Sequence, residues 1–357
     1  IVGQGLAWVT WLFLNYTIGR VRFFASLPAA SAEVKLSLAG LVALYLLIFG
    51  LTWFARMGPD RRRGLRLRLS QNVSQRLALA GGAVIAVLAV SWALSQPDGR
   101  LHVAFFDVGQ GDATFIQTPS GRQILIDGGA YPTVLHDHLG REIPFWDRDI
   151  DLVIVTHPDA DHAAGLPGVF DRYDVGRLIT NGKFADERSY QALLDAAAEN
   201  DVLIHNALAG EIIIIEDGVQ IEILNPTDNR RPVTDDQHDN DQSVALRLLY
   251  GDFSLLLTGD AGQPAESQML RGGWDLHSIV YKAGHHGAKS SSSAAFLKAV
   301  RPQIMVVSAG SENRYGHPDE EVLQRAGSAS AAVLRTDELG SIEVITDGEQ
   351  MWWESHQ

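Results

Sequence analysis

The sequence predicts an α/β protein in two parts, transmembrane helices first and then two β-sheets with helices outside them. Three observations predict it. Two uncharged stretches of 19 and 18 residues lie within the first 95 positions, each long enough to cross a bilayer. From Gly99 onward, short apolar or alternating runs bounded by turn residues mix with helical stretches, without a strict βαβ rhythm. Charge divides at the same place. The first 95 residues set ten basic residues against Glu33 and Asp60, whereas the remainder has a formal balance of −22. Domains are therefore expected at 1–98, a membrane segment, and 99–357, a folded domain.

The first span is Leu36–Phe54 (LSLAGLVALYLLIFGLTWF) and the second Leu77–Leu94 (LALAGGAVIAVLAVSWAL). At about 1.5 Å per residue each covers roughly 27–29 Å, the thickness of the hydrocarbon layer. Buried core helices are the plainer alternative, but such helices rarely lack every charge over this length. Ile1–Phe24 is apolar but interrupted by Asn15, Arg20 and Arg22, and reads as the tail of a truncated span or as an interfacial helix. Between the spans, Ala55–Arg76 carries seven arginines and one acid. Short basic loops stay cytoplasmic, so the second span runs outward and everything after Gln96 is expected on the outer face of a multi-pass membrane protein. A nucleic-acid-binding patch is the other reading of those arginines. The chain begins with Ile1 rather than methionine, which predicts a piece of a longer protein, and it has no cysteine, which excludes disulfides and thiolate metal ligands.

Within the second part, His102–Val108, Ala113–Thr118 and Gln123–Ile126 read as consecutive strands, and Leu152–Thr156 as a fully buried one. Two hairpins are expected, Glu211–Glu216 with Val219–Leu224 around Asp217–Gly218, and Val244–Tyr250 with Phe253–Thr258 around Gly251–Asp252. Further strands are expected at Ile304–Ser308 and Ser341–Thr346, and helices at Ser189–Glu199, Ala294–Val300 and Glu320–Arg325. Thr227–Gln242 is acidic and polar and reads as a long loop.

The chemistry concentrates in VTHPDADHAAG, where an apolar strand ends at Thr156 and His157, Asp159, Asp161 and His162 follow within six residues. A mixed set of imidazole nitrogens and carboxylate oxygens suits zinc, manganese or iron rather than calcium. Two-metal hydrolases hold their ions about 3.5–4 Å apart, so several ligands must crowd into a short segment. Downstream, Asp260 follows a strand in LLTGD, and His285 and His286 follow another in KAGHHGAKSSSS. Each alone is a turn cap or surface decoration; together with the first cluster they form a set.

HxDxDH after a strand, then TGD, then GHHG, resembles the metallo-β-lactamase superfamily, whose first motif LIDGG (Leu125–Gly129) matches. FDVGQGDA (Phe106–Ala113) and NRYGHP (Asn313–Pro318) narrow the likeness to the C-terminal region of ComEC-type DNA-uptake (competence) channel proteins. It covers Gly99 to about Ile345, and over the first 95 residues rests on membrane character and placement. The resemblance implies an αββα metallo-β-lactamase sandwich with two divalent metal ions, Mn or Zn, at one edge between the sheets. His157 and Asp159 are implied as ligands of the first metal, Asp161 and His162 of the second, with Asp260 bridging and His285 completing the second site. Asp127 is implied as the carboxylate that fixes the metal loop. Asp159 stands where many members have histidine, which shifts preference toward harder ions such as manganese. A further histidine normally precedes the bridging aspartate; here the chain has HDNDQS, and Asp239, Asn240 and Asp241 all remain candidates.

Several other residues are candidates for substrate contact. Gln110 and Asp112 are expected at the pocket edge, or simply in a tight turn. His286, Lys289 and Ser290 to Ser292 are expected to grip a phosphate, with a polar linker as the alternative. His317 is a candidate general acid and Asp161 a candidate proton acceptor. His136, His138, His205, His277 and His356 show no partner pattern and are expected at the surface.

The expected reaction is metal-dependent phosphodiester hydrolysis. The resemblance implies DNA as the substrate, the strand not imported being degraded, with the membrane, the missing N-terminal channel region and other uptake components as partners. Against this stands the balance of −22, which repels a polyanion. A small phosphodiester or a lactone carries a smaller penalty, and a catalytically silent gating or docking module of the channel is the reading from another class.

Overall fold

The structure, a computed structural model, describes residues 52, 56, 58, 80–86, 96–183, 187–227, 240–311 and 313–356. The chain divides into two units, Ile1–Gln96 and Pro97–Gln357. In the first, 80–86 is helical; the rest of the expected spans 36–54 and 77–94, Thr52 excepted, lies outside the described residues. Among the described residues no helix is long and apolar enough to cross a membrane.

In the second unit, alternation of side chains along the strands builds the layers. On β1 (Leu101–Phe105), Leu101, Val103 and Phe105 point to one apolar layer, and Ala104 to another. The first sheet runs β17 (Met351–His356), β16 (Ser341–Thr346), β1, β2 (Thr114–Gln117), β3 (Gln123–Ile126), β5 (Leu152–Ile154), β7 (Arg177–Thr180), β8 (Leu203–Asn206). The second runs β15 (Ala332–Arg335), β14 (Ile304–Val307), β13 (Val280–Lys282), β12 (Phe253–Leu257), β11 (Ala245–Tyr250), β10 (Gln220–Asn225), β9 (Ile212–Ile214). A small pair, β4 (Asp149–Ile150) with β6 (Asp174–Val175), lies apart.

Phe105, Ile124 and Ile126 of the first sheet bury against Ile221, Leu246, Leu255 and Leu257 of the second, forming the central layer. Leu125 and Val153 face the other way, under α1 (Pro132–Glu142), α3 (Pro167–Phe170) and α4 (Arg188–Glu199), which supply Leu135, Leu139, Val169 and Leu193. Leu256, Tyr281 and Met305 are covered by Met269, Phe296 and Val322 from α5 (Gln263–Arg271), α6 (Ala294–Val300) and α7 (Glu320–Ser328). The result is the αββα sandwich of the metallo-β-lactamase fold.

Both expected hairpins form: β9 pairs antiparallel with β10, and β11 with β12. Asp217 and Gly218 take positive φ, as a tight right-twisting hairpin requires. Strand β1 stops at Phe105, short of the expected Val108, because the Asp107 side chain accepts from Gly109 N (3.1 Å) and turns the chain locally. Helices α1 and α5 and strands β7, β8, β15 and β17 were not expected. The two helices and β7 each offer only two buried apolar residues, and β8, β15 and β17 one or none, too few to set a period.

Parallel pairing places the site. Strands β3 and β5 run parallel, as do β12 and β13, so their carboxyl ends open on one rim of the sandwich. The loops leaving those four ends carry Asp127, the His157–His162 run, Asp260 and the GHHG turn. Such strand ends are where open α/β sheets bind ligands.

Candidate metal centre

Three side chains hold the first loop. The carboxylate of Asp127, at the end of β3, accepts from Thr156 N (2.7 Å), from the Thr156 hydroxyl (2.8 Å) and from His162 Nδ1 (2.9 Å). Because the Thr156 hydroxyl gives its proton to Asp127, its lone pair is free to accept from His157 Nδ1, 3.0 Å away. One carboxylate thus sets both histidines with Nδ1 as donor and Nε2 directed away. The short helix α2 (Ala160–Ala163) carries Asp161 and His162, with Asp159 at its start.

The second sheet closes the ring. Gly259, at φ 51, lets the chain turn after β12, and a Cβ there would lie 2.9 Å from Thr156. Asp260 follows, nearly buried, with His162 Nε2 3.2 Å from one oxygen. From its other oxygen, His286 Nε2 is 3.6 Å, His285 Nε2 3.7 Å and His157 Nε2 3.9 Å distant. Asp161 lies 3.4 Å from His286 Nε2, and Asp159 lies 3.6 Å from His157 Nε2. Of these, Asp159 is the more open, at 45 % side-chain exposure. Six expected ligands therefore converge: His157, Asp159, Asp161, His162, Asp260 and His285.

His286 joins them, which corrects its expected place as a phosphate grip. In the GHHG turn His285 (φ 48) and His286 (φ 54) are both left-handed, and this swings His286 inward to 1 % exposure while His285 stays at the rim. The Nδ1 of His286 lies 3.2 Å from Ser308 O and 3.2 Å from Asp112, leaving Nε2 toward Asp161 and Asp260. Asp112, His162, Asp260 and His286 each offer a ligand atom within 4.8 Å of the others. Asp112, however, meets the Nδ1 side of His286 and so stands behind that ring. Gly111 makes its approach possible, since a Cβ there would be 2.3 Å from Asp161 O.

Buried carboxylates and imidazoles perturb one another strongly. Burial opposes charge on His162, but Asp260 and Asp127 outweigh it and hold its pKa well above the ordinary value. His286 is likewise disfavoured by burial and raised by Asp260 and Asp112, to about 10. Burial tends to raise Asp260 and Asp161; the neighbouring histidines prevail, with Asp260 well below its ordinary value and Asp161 at about 2.

The remaining candidates divide. His317 sits beside the centre, its ring 6.0 Å from that of His285 and stacked on Tyr315, and its turn is closed by Asn313, which accepts from His317 N (2.9 Å). Burial, then the charges of His285 and His286, lower its pKa. Asn240 and Gln110 each bury a side-chain oxygen without a hydrogen-bond partner. Asp241 accepts from Gly262 N (3.1 Å), two residues past Asp260, and Asp239 lies outside the described residues. Lys289 and Ser290 are exposed, and Lys289 pairs with Glu321. The next serines serve the fold instead: Ser291 donates to Gly284 O (2.6 Å), and Ser292 bonds the Tyr281 hydroxyl (3.1 Å). His136 and His138 are half-buried rather than on the surface, His138 stacking on Phe106 at 4.8 Å. Sequence reasoning missed Lys282, 1 % exposed and 2.7 Å from Asp112. A lysine inside a three-residue buried strand was the available signal.

A match to the metallo-beta-lactamase superfamily spans residues 106–311. The chain belongs to this superfamily. Over 354 residues, 95 % of its length, it is 30 % identical to ComE operon protein 3 of Bacillus subtilis (strain 168), covering 42 % of that protein. It is 28 % identical over 352 residues to competence protein ComA of Neisseria gonorrhoeae, covering 95 % of this chain and 46 % of ComA. These are the ComEC-type proteins that the motifs resemble, and the chain spans less than half the length of each. Among solved structures, the diiron β-hydroxylase CmlA of Streptomyces venezuelae aligns at 13 % identity with a TM-score of 0.45, over 67 % of this chain and 53 % of CmlA.

The superfamily implies a metal centre, and the residues present fit one. His157 Nε2, His162 Nε2, His286 Nε2 and one Asp260 oxygen are buried and approach one another without making hydrogen bonds. Buried polar atoms left in this way carry a desolvation penalty of about 1–3 kcal/mol each unless something else binds them. Imidazole nitrogens with carboxylate oxygens form a donor set for divalent transition ions.

Proposed function

We propose that the second unit is a metal-dependent phosphodiesterase acting on DNA, within a membrane system for DNA uptake. The carrying observation is the convergence of partnerless ligand atoms from three strand ends on one rim, with Asp127 of a fourth holding two of them. His157 and Asp159 would hold one divalent ion and Asp161, His162 and His286 a second, with Asp260 within reach of both groups of residues and His285 at the rim. Such ions supply Lewis-acid polarisation of a phosphoryl oxygen and a nucleophile from water at neutral pH. Asp161, half-open and ionised, accepts the proton of the attacking water. His317, beside His285, is placed to give a proton to the leaving oxygen; burial and the charges of His285 and His286 lower its pKa, so that role weakens as pH rises. Support for DNA comes from the competence-protein relatives rather than from charge.

The test uses the full chain with Mn²⁺ or Zn²⁺, following single- and double-stranded DNA, bis(p-nitrophenyl) phosphate and a lactone. His157→Ala and Asp260→Ala are the controls. DNA cleavage abolished in both variants is the expected result. Cleavage of only the small ester or the lactone moves the substrate elsewhere, and metal uptake without hydrolysis of any of them favours a silent channel module.

A further inference from the structure

Behind His286 stands a buried ion pair that the reaction does not use. Lys282, the last residue of β13, is 1 % exposed and Asp112 5 %. Lys282 Nζ donates to one Asp112 oxygen (2.7 Å) and to Ala283 O (3.0 Å), and the other Asp112 oxygen lies 3.2 Å from His286 Nδ1. The backbone of Asp112 ties two further loops: its N–H donates to Asp161 O (3.2 Å), and its carbonyl accepts from Gly129 N (2.8 Å). A lone buried pair of this kind is weak as a stabiliser, since desolvation offsets most of its attraction. Its geometry does something a hydrophobic pair cannot. His286 Nδ1 donates to Ser308 O (3.2 Å), which leaves the lone pair on Nε2, the atom that faces Asp161 and Asp260, and the Asp112 carboxylate, 3.2 Å from the same Nδ1, sets a negative charge on that side of the ring.

We infer that the Lys282–Asp112 pair is a positioning device for His286, with Lys282 holding Asp112 in place and Asp112, beside Ser308 O, steadying the Nδ1 side of the ring so that Nε2 faces the metal centre. The inference rests on the metal-hydrolase reading above. It assigns His286 a counterpart to the Asp127 arm that serves His157 and His162, built across the two sheets. An amide at position 112 removes the charge beside Nδ1 and offers a donor that competes with Ser308 O for that nitrogen, which loosens the hold on the ring.

The experiment titrates Co²⁺ into the full chain as wild type, as Asp112→Asn and as the doubly neutral Asp112→Asn/Lys282→Met. Stoichiometry, affinity and the visible spectrum of bound Co²⁺ are read beside melting of the metal-free proteins. Expected is a melting temperature for the double variant near wild type, with affinity at one site lower by roughly 10–100-fold and an altered spectrum. Wild-type affinity and spectrum in the folded double variant overturn the inference alone. If the double variant does not fold, Asp112→Glu, which keeps the charge but displaces it by one methylene, is titrated instead, and an unchanged spectrum there overturns it too. A wild type that takes up no Co²⁺ overturns the metal-hydrolase reading itself.

Discussion

The two ends of the sandwich hold similar side chains and use them differently. At the end opposite the metal centre, Arg122 bridges Asp151 (2.8 Å) and Glu216 (2.8 Å), and His102 bridges Asp98 (3.0 Å) and Glu343 (2.7 Å). Those groups are partly open to water and each has its partner. At the centre, histidines and aspartates are buried, and their Nε2 and oxygen atoms face one another without hydrogen bonds. A paired, hydrated cluster gains little and needs nothing more. A buried, partnerless one is sustained only by what it binds. Composition does not separate the two; burial and pairing do.

The largest way to break that contrast is Asp260→Ala, which removes the oxygens shared by four histidines. Phosphodiester hydrolysis is expected to fall roughly 10³-fold or more, measured as kcat/KM with Mn²⁺. Next is Lys282→Met alone, which leaves Asp112 buried without its cation. Stability is expected to fall by about 3–5 kcal/mol in denaturant unfolding, with most of it restored when Asp112→Asn is added. Asp127→Asn exposes the other arm: Co²⁺ affinity is expected to fall roughly 10–100-fold by titration, through His157 and His162 together.

At the far end the expected effects are small. Arg122→Ala should leave Co²⁺ uptake unchanged and melting close to wild type, because its guanidinium is exposed. His102 sharpens the comparison through pH. The Glu343 hydrogen bond, against the opposing effect of burial and with help from Asp98, raises its pKa above the ordinary value of 6.5. A raised histidine contributes stability that is complete below that value and is lost as pH rises through the folded-state pKa. Melting of wild type relative to His102→Gln should therefore decline from mildly acidic to alkaline pH. An unchanged difference across that range would remove the pair from the account.

Much of the site was legible because its ligands are near neighbours in sequence. His157, Asp159, Asp161 and His162 fall in one turn, and Asp127 and Asp260 each follow a strand whose apolar run was plain. The hairpins at Asp217–Gly218 and Gly251–Asp252 were legible for a like reason, since turn chemistry is local. Lys282 and Asp112 were not, because they are 170 residues apart and meet only when the sheets stack. Nor could the sequence distinguish His285 from His286. Two consecutive left-handed residues turn one ring inward and leave the other at the rim, and nothing in the pair of letters says which. The serine run looked like a phosphate grip, yet Glu266 accepts from Ser292 N and Ser293 N and binds it into the core.

By itself, then, the sequence determined the more apolar strands, the two hairpins and the residue types of the centre, because periodicity, turn residues and ligand chemistry act over a few positions. Tertiary structure alone decided which histidine points inward, which carboxylate stands behind which ring, and that the donors are left without partners. Those depend on two sheets meeting at one rim, where groups far apart in the chain share a volume from which water is excluded.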